Sequence, residues 1–83
     1  MKKIKLYQYS YCPFCAKVRN KINELNIQDK VELISIENSS ELKEFVKKEA
    51  GKLQVPFLVD ENKNIKMLES DDINDYLEQN YRK

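Results

Sequence analysis

The sequence predicts an α/β domain, a four-stranded mixed sheet with helices on both faces in the order β-α-β-α-β-β-α. Three observations lead there. Short runs of Ile, Leu and Val alternate with stretches whose apolar residues recur every three or four positions. Capping residues, a proline and the single glycine fall where those stretches begin and end. The chain has 83 residues, 41% hydrophobic and 35% charged, which suits one core and leaves no room for a second. One domain over residues 1–83 is therefore expected, with a stability of about a few kcal/mol, because small domains bury a modest share of their surface.

The elements follow in chain order. Ile4-Lys5-Leu6-Tyr7 alternates as a strand, and Tyr9-Ser10-Tyr11 reads as a short loop. From Pro13 the period becomes helical. Phe14, Val18, Ile22 and Leu25 form one apolar stripe, with Lys17, Arg19, Lys21 and Glu24 off it. Pro13 suits the first helical position, where its missing N–H costs nothing. Val31, Leu33, Ile34 and Ile36 predict a second strand, largely buried. Ser39-Ser40-Glu41 supplies a cap and an acidic first turn for a second helix, whose inner face is Leu42, Phe45, Val46 and Ala50. Gly51 follows, where a left-handed residue ends a helix well. Phe57-Leu58-Val59 and Ile65-Lys66-Met67-Leu68 predict antiparallel strands joined by a polar turn from Asp60 to Asn64. Ser70-Asp71-Asp72 then caps a last helix with Ile73, Tyr76, Leu77 and Tyr81 inward. The first three strands, linked through helices, predict a right-handed parallel β-α-β crossover followed by a hairpin.

Composition narrows the function. No run of ~18 apolar residues is present, so no membrane span is expected. The opening Met1 to Tyr7 is basic without an apolar targeting core, and a cytoplasmic monomer is expected. Residues 1–30 carry seven basic against two acidic side chains, and residues 31–83 carry eight against twelve. The basic N-terminal third favours a small anionic ligand. Thirteen Lys to two Arg argue against nucleic acid, where bidentate Arg contacts dominate.

Both cysteines lie in Cys12-Pro13-Phe14-Cys15. Two Cys cannot build the framework of a disulfide-stapled fold, and a two-residue gap closes too short a loop to act as a staple. A zinc site lacks ligands, since the chain has no His and no second Cys pair. Reversible thiol–disulfide chemistry remains, beside an iron–sulfur cluster shared between two chains or a pair of inert thiols. At a strand-to-helix junction, Cys12 meets free backbone N–H groups and the positive end of the helix dipole, which stabilise a thiolate below the ordinary ~8.5. Cys15 lies one turn on, within reach of a disulfide and shielded from solvent. Cys12 is thus expected to attack and Cys15 to resolve.

Two further stretches are informative. In Gln54-Val55-Pro56-Phe57, Pro56 stands at the entry of a strand, the one strand position that tolerates it. A cis bond there would turn the Val55 backbone outward to pair with an extended ligand, although a trans proline is the commoner reading. Glu69-Ser70-Asp71-Asp72 reads either as a plain helix cap or as an anchor whose N–H groups hold a carboxylate and whose acids hold an ammonium.

Together these stretches resemble the glutaredoxin family of the thioredoxin fold, over essentially the whole chain. The resemblance rests on Cys12-Pro13-Phe14-Cys15 after the first strand, Val55-Pro56 before the third, and an acidic helix start after the fourth. It implies a cis Pro56, a Val55 that pairs with the cysteinyl part of glutathione, and a glutathionylated Cys12. The Gly-Gly pair common in such proteins is missing. Met67-Leu68-Glu69-Ser70 is instead similar to the Glu-Ser motif of glutathione-transferase N-terminal domains and of two-domain bacterial glutaredoxins, which assigns the γ-glutamyl group to Glu69 and Ser70. Tyr9 stands where a Lys is common, leaving the glycine carboxylate to Lys52 or Gln54. The implied glutathione site comprises Tyr11, Phe14, Gln54, Val55, Pro56, Glu69 and Ser70, with Tyr11 and Phe14 as its apolar flank. The implied activity is glutathione-dependent reduction of protein disulfides and glutathione mixed disulfides, with no metal or flavin. The partners are glutathione and disulfide-bearing or glutathionylated proteins. A redoxin fed by a thioredoxin reductase, and a non-enzymatic glutathione- or cluster-binding module, are the alternatives. Transferase activity is not expected of a chain that ends at Lys83.

Overall fold

The computed structural model describes residues 2–82; Met1 and Lys83, the ends of the expected 1–83 domain, lie outside the described residues. The elements are β1 (Ile4–Gln8), α1 (Pro13–Glu24), β2 (Val31–Ser35), α2 (Ser40–Ala50), β3 (Phe57–Asp60), β4 (Ile65–Met67) and α3 (Ser70–Tyr81). A single 3-10 turn at Gln28–Lys30, which the periodicity does not show, leads into β2. The strands lie in the order β2-β1-β3-β4. β2 runs parallel to β1, with Leu33 opposite Leu6, while β3 runs antiparallel to β1, with Leu58 opposite Leu6. β4 pairs antiparallel with β3, as expected for the hairpin. The parallel relation is thus confined to β1 and β2, and β3 does not continue it.

Alternation along the strands divides the core in two. Ile4, Leu6 and Leu58 point to one face, where α1 brings Val18 and Ile22 and α3 brings Ile73 and Leu77. Tyr7, Phe57 and Val59 point to the other, against Val46 of α2 and Ile36. Helices therefore cover both faces, as the apolar stripes predict. Helix boundaries follow local chemistry. Pro13 opens α1, the Ser39 hydroxyl accepts the Leu42 N–H at 3.2 Å, and Gly51 ends α2 at φ +84°. Open space surrounds the position of a Cβ at Gly51, so only its left-handed backbone calls for glycine.

Several expectations are corrected by position in the sheet. β2 is an edge strand and is not largely buried: Leu33 is 46% exposed, and Glu32 and Ser35 also face solvent. In α1 the inward position belongs to Cys15, with Phe14 turned out to 57% exposure. Spacing alone could not separate these neighbours, because either fits a stripe through Val18 and Ile22. Phe45 of α2 is 39% exposed and lies over Tyr7 with ring centroids 5.2 Å apart, so it roofs the second cluster from outside.

The largest departure is Asp60, which closes β3 fully buried and is no part of a solvated turn. Tyr76 and Tyr81 of α3 both donate their hydroxyls to its Oδ2, so these side chains bring polar ends as well as apolar faces. The Asn62 backbone N–H and side-chain amide donate to Oδ1 at 3.0 and 3.1 Å. Asn62 in turn exchanges two hydrogen bonds with the Lys2 backbone. Burial pushes the Asp60 carboxyl up, but Tyr76, Tyr81 and Asn62 outweigh it and hold the group below the usual carboxylate range. Burial, then the hydrogen bond to Asp60 and its charge, push the Tyr76 phenol up, and push Tyr81 to about 12.

The carboxyl is lower in the folded chain, so its stabilisation is complete above the ordinary value of about 4 and is lost as pH falls below it. The phenols are higher in the folded chain, so their share is complete below about 10 and is lost as pH rises toward 12. The share of this cluster, read as the difference between denaturant melts of the parent and of Asp60→Asn, should therefore give a plateau between those limits. Asp60→Asn should lower the unfolding free energy by about 2–4 kcal/mol within it, because paired donors lose their acceptor. Gly51→Ala should cost about 1 kcal/mol despite the free space.

Candidate functional site

The site is assembled at the start of α1. Cys12 is the N-cap residue, with extended φ and ψ of −85° and 125°, and its carbonyl accepts the Ala16 N–H at 2.9 Å. Its own N–H reaches the Tyr9 carbonyl at 3.4 Å, which folds the loop after β1 back under the helix. Pro13 at the first helical position keeps Cys12 extended, because the residue before proline avoids helical geometry. The thiol is left beside the free N–H groups of the first turn.

The two thiols are free and unequal. Cys12 is partly exposed and Cys15 is completely buried. Burial pushes the Cys12 thiol up, but hydrogen bonds from the Cys15 backbone and thiol and from the Phe14 backbone, with the Arg19 charge, bring it below the usual value. Burial also pushes the Cys15 thiol up and there prevails, to about 11; a backbone hydrogen bond at Tyr9 opposes this, and the Cys12 thiol reinforces it. Both residues sit one helical turn apart on one face, so the same helix start makes one thiol acidic and the other reluctant.

The same helix start borders a cleft of about 450 Å³ with three walls, whose lining includes neither Cys12 nor Cys15. Phe14 and Lys17 come from α1, Gln54, Val55 and Pro56 from the loop before β3, and Glu69 to Asp72 from the start of α3. The Val55–Pro56 peptide is cis, as the resemblance implies. The Gln54 amide donates to Glu69 Oε1 at 3.0 Å, joining the loop to the third wall. Lys17 stands 3.7 Å from Asp71 and 5.7 Å from the centre of the Phe14 ring. Three carboxylates and the first N–H groups of α3 therefore meet at one end, a pairing suited to an ammonium and a carboxylate on one carbon.

Ser70 is corrected here: it is the first residue of α3 and does not cap it. The N-cap is Glu69, whose φ of 72° is left-handed and costly for a residue with a Cβ. The apparent cap signal in Ser70-Asp71-Asp72 is displaced by one residue because Glu69, not Ser70, makes the turn out of β4.

The structure gathers Phe14, Gln54, Val55, Pro56, Glu69 and Ser70 around this one cleft. Tyr11 lies outside its walls, 74% exposed and stacked on Tyr9 at 5.6 Å. Of the two residues offered for a glycine carboxylate, Gln54 lines the cleft, whereas Lys52 is exposed outside it. Lys17 and Arg19 join the site without having been marked by any motif. Lys17 lies one turn beyond Pro13 and Phe14, which could have flagged it. Arg19 donates to Gln8 Oε1 at 2.5 Å and to the Tyr9 and Ser10 carbonyls at 3.4 and 3.3 Å, contacts no periodicity reveals. Among the described residues no group of three His, Cys, Asp or Glu side chains is placed to hold a metal ion, and no helix is long and apolar enough to cross a membrane.

Residues 6–83 match the model of the glutathione S-transferase N-terminal domain. Among solved structures, the chain is similar to glutaredoxin 2 of Salmonella typhimurium in complex with glutathione, at 32% identity and a TM-score of 0.78. That match covers 94% of this chain and 34% of the other. A diazinon-metabolizing glutathione S-transferase of the silkworm Bombyx mori is 26% identical, with a TM-score of 0.80 over 96% of this chain and 39% of the other. Oxidized glutaredoxin 2 of Chlamydomonas reinhardtii shares the fold at 20% identity and a TM-score of 0.71, over 93% of this chain and 72% of the other. The chain thus spans well under half the length of the first two. No curated protein sequence gives a significant match. The fold is thioredoxin-like.

The inequality of the thiols can be measured directly. At pH 7 iodoacetamide should modify one thiol per chain, and peptide mass mapping should place it on Cys12. Its rate should titrate below the range of an ordinary free thiol, whereas Cys15 should react only as pH nears 11.

Proposed function

The chain belongs to the glutathione S-transferase N-terminal domain family, and from that premise we propose that it is a glutathione-dependent dithiol oxidoreductase acting through Cys12. The observation that carries this reading is the division between an accessible, acidified Cys12 and a buried Cys15 whose thiol is pushed up to about 11. A transferase has no use for the second thiol, whereas disulfide exchange needs a nucleophile and a resolving partner.

In the proposed cycle the Cys12 thiolate attacks the glutathione sulfur of a protein–glutathione mixed disulfide. The Cys12–glutathione bond forms, the old disulfide breaks, and the protein thiolate leaves and takes a proton from solvent. A second glutathione thiolate then attacks the glutathionyl sulfur on Cys12, which frees the enzyme and releases glutathione disulfide. Alternatively Cys15 gives up its proton and attacks Cys12. Glutathione leaves as a thiol, and two further glutathiones reduce the Cys12–Cys15 bond. A protein disulfide is opened by the same nucleophile, with the mixed disulfide between Cys12 and the substrate resolved by Cys15.

The lining of the cleft supports a glutathione site. Val55 offers its backbone to the cysteinyl part, and Glu69, Ser70 and the first turn of α3 receive the γ-glutamyl end. Of the two residues expected for the glycine carboxylate, Gln54 is the one that lines the cleft. Exposed Phe14 and the Tyr9–Tyr11 stack leave apolar surface on the open side for a protein substrate. A reducing compartment, the cytoplasm, would keep such a pair in its working state.

A coupled assay with glutathione and a small glutathione mixed disulfide tests this. Cys12→Ser should abolish turnover, while Cys15→Ser should retain the monothiol route; full activity in Cys12→Ser would overturn the proposal. Glu69→Gln and Ser70→Ala should each raise KM for glutathione roughly tenfold to a hundredfold, the loss of one hydrogen bond to a charged ligand. Faster reduction by a flavoprotein thioredoxin reductase than by glutathione would identify the donor as the reductase instead.

A further inference from the structure

Arg19 is placed unlike the other cations of α1. Cys12, Cys15 and Arg19 are spaced by three and four residues, so they share one helix face. The guanidinium turns back from that face onto the loop between β1 and Cys12. There it meets three acceptors in sequence: the Gln8 side chain and the Tyr9 and Ser10 carbonyls. Those carbonyls follow the end of β1, where the ladder can no longer satisfy them. The same short loop is held from its other side, since the Ser10 N–H donates to Glu37 Oε1 at 2.7 Å. Ser35 of β2 joins both attachments, accepting from the buried Gln8 amide at 3.3 Å and lying 3.3 Å from the Ser10 hydroxyl. The Tyr9 carbonyl bound by Arg19 is also the one that receives the Cys12 N–H.

We propose that Arg19 is the positioning residue for the nucleophile: by gathering Gln8, Tyr9 and Ser10 in one planar fork, it fixes the loop that presents Cys12 at the start of α1. The proposal rests on Cys12 being the nucleophile, as argued above. A fork of five donors can serve three acceptors in different directions, which a lysine ammonium on the same helix could do only in part. The charge has a second consequence, because it lies close enough to lower both thiols. The other charged group on the loop is Glu37 beyond β2, while Lys17, Glu69 and Asp71 line the cleft.

The test reads Cys12 without glutathione, so it is independent of the proposed exchange activity. In a Cys15→Ser background, the iodoacetamide rate is measured from pH 4 to 10, the thiolate sulfur displacing iodide. Arg19→Gln should move the midpoint upward and slow modification at pH 7 by roughly threefold or more, since each pK unit is tenfold in thiolate. Arg19→Lys should recover part of the loss, because it restores the charge without the fork. A lowered melting temperature with an unmoved alkylation profile would overturn the proposal, as it would show a merely structural role. If Arg19→Gln does not fold, Arg19→Lys decides alone: a slower profile than the parent supports the fork, and a superimposable one overturns it. Loss of glutathione turnover in the parent protein, with these shifts intact, would instead refute only the exchange activity.

Discussion

The antiparallel pairing of β1 with β3 is the constraint on which the site depends. Tyr7 lies opposite Phe57, so the chain leaving β1 toward Cys12 emerges beside the chain entering β3 through Gln54, Val55 and Pro56. The next pairing repeats the arrangement. Leu58 lies opposite Met67, which delivers the exit of β4, and with it Glu69 and Ser70, to the same end of the sheet. Three segments up to 58 residues apart in sequence thereby line one cleft. Had β3 run parallel to β1, the proline loop would have lain at the far end of the sheet from the cysteines.

The opposite end of the sheet is built for stability. Asp60 ends β3 away from the cleft, and its buried carboxylate is supplied with donors by α3 and by the turn that follows it. A buried charge is tolerated only when its oxygens are satisfied, so the network fixes where α3 must lie. Since Ser70 begins that same helix, the register set at the Tyr76 and Tyr81 hydroxyls also governs the height at which the first turn of α3 faces the cleft. The polar cluster and the site are thus two ends of one rigid element.

At the working end, reactivity comes from placing two like groups in unlike surroundings. Both cysteines belong to the first turn of α1, yet Cys12 has the free N–H groups and solvent, whereas Cys15 has the packed interior. The helix start favours the anion where it is exposed, and desolvation opposes it where it is buried. The strained φ of Glu69 belongs to the same economy of turns: it ends β4 abruptly enough to aim the start of α3 at the cleft.

Local residue patterns account for the order of the main elements, the capping of α2 by Ser39 and Gly51, and the Cys-Pro-Phe-Cys helix start. Each is written in residues within a few positions of one another, where propensity, capping and φ preference act. The sequence also marked Gln54, Val55, Pro56, Glu69 and Ser70, because their types carry backbone or charge constraints of their own. Tertiary structure alone decided the rest. That β2 is an edge with Leu33 exposed depends on which strands flank it, and the burial of Asp60 depends on hydroxyls 16 and 21 residues away. The choice between Phe14 and Cys15 for the inner face was settled by how α1 sits on the sheet. The contacts of Arg19 across the loop arise from the same docking. A local pattern records the period of an element. Which neighbour covers each face, and which donors reach a buried oxygen, is fixed only when distant segments are packed together.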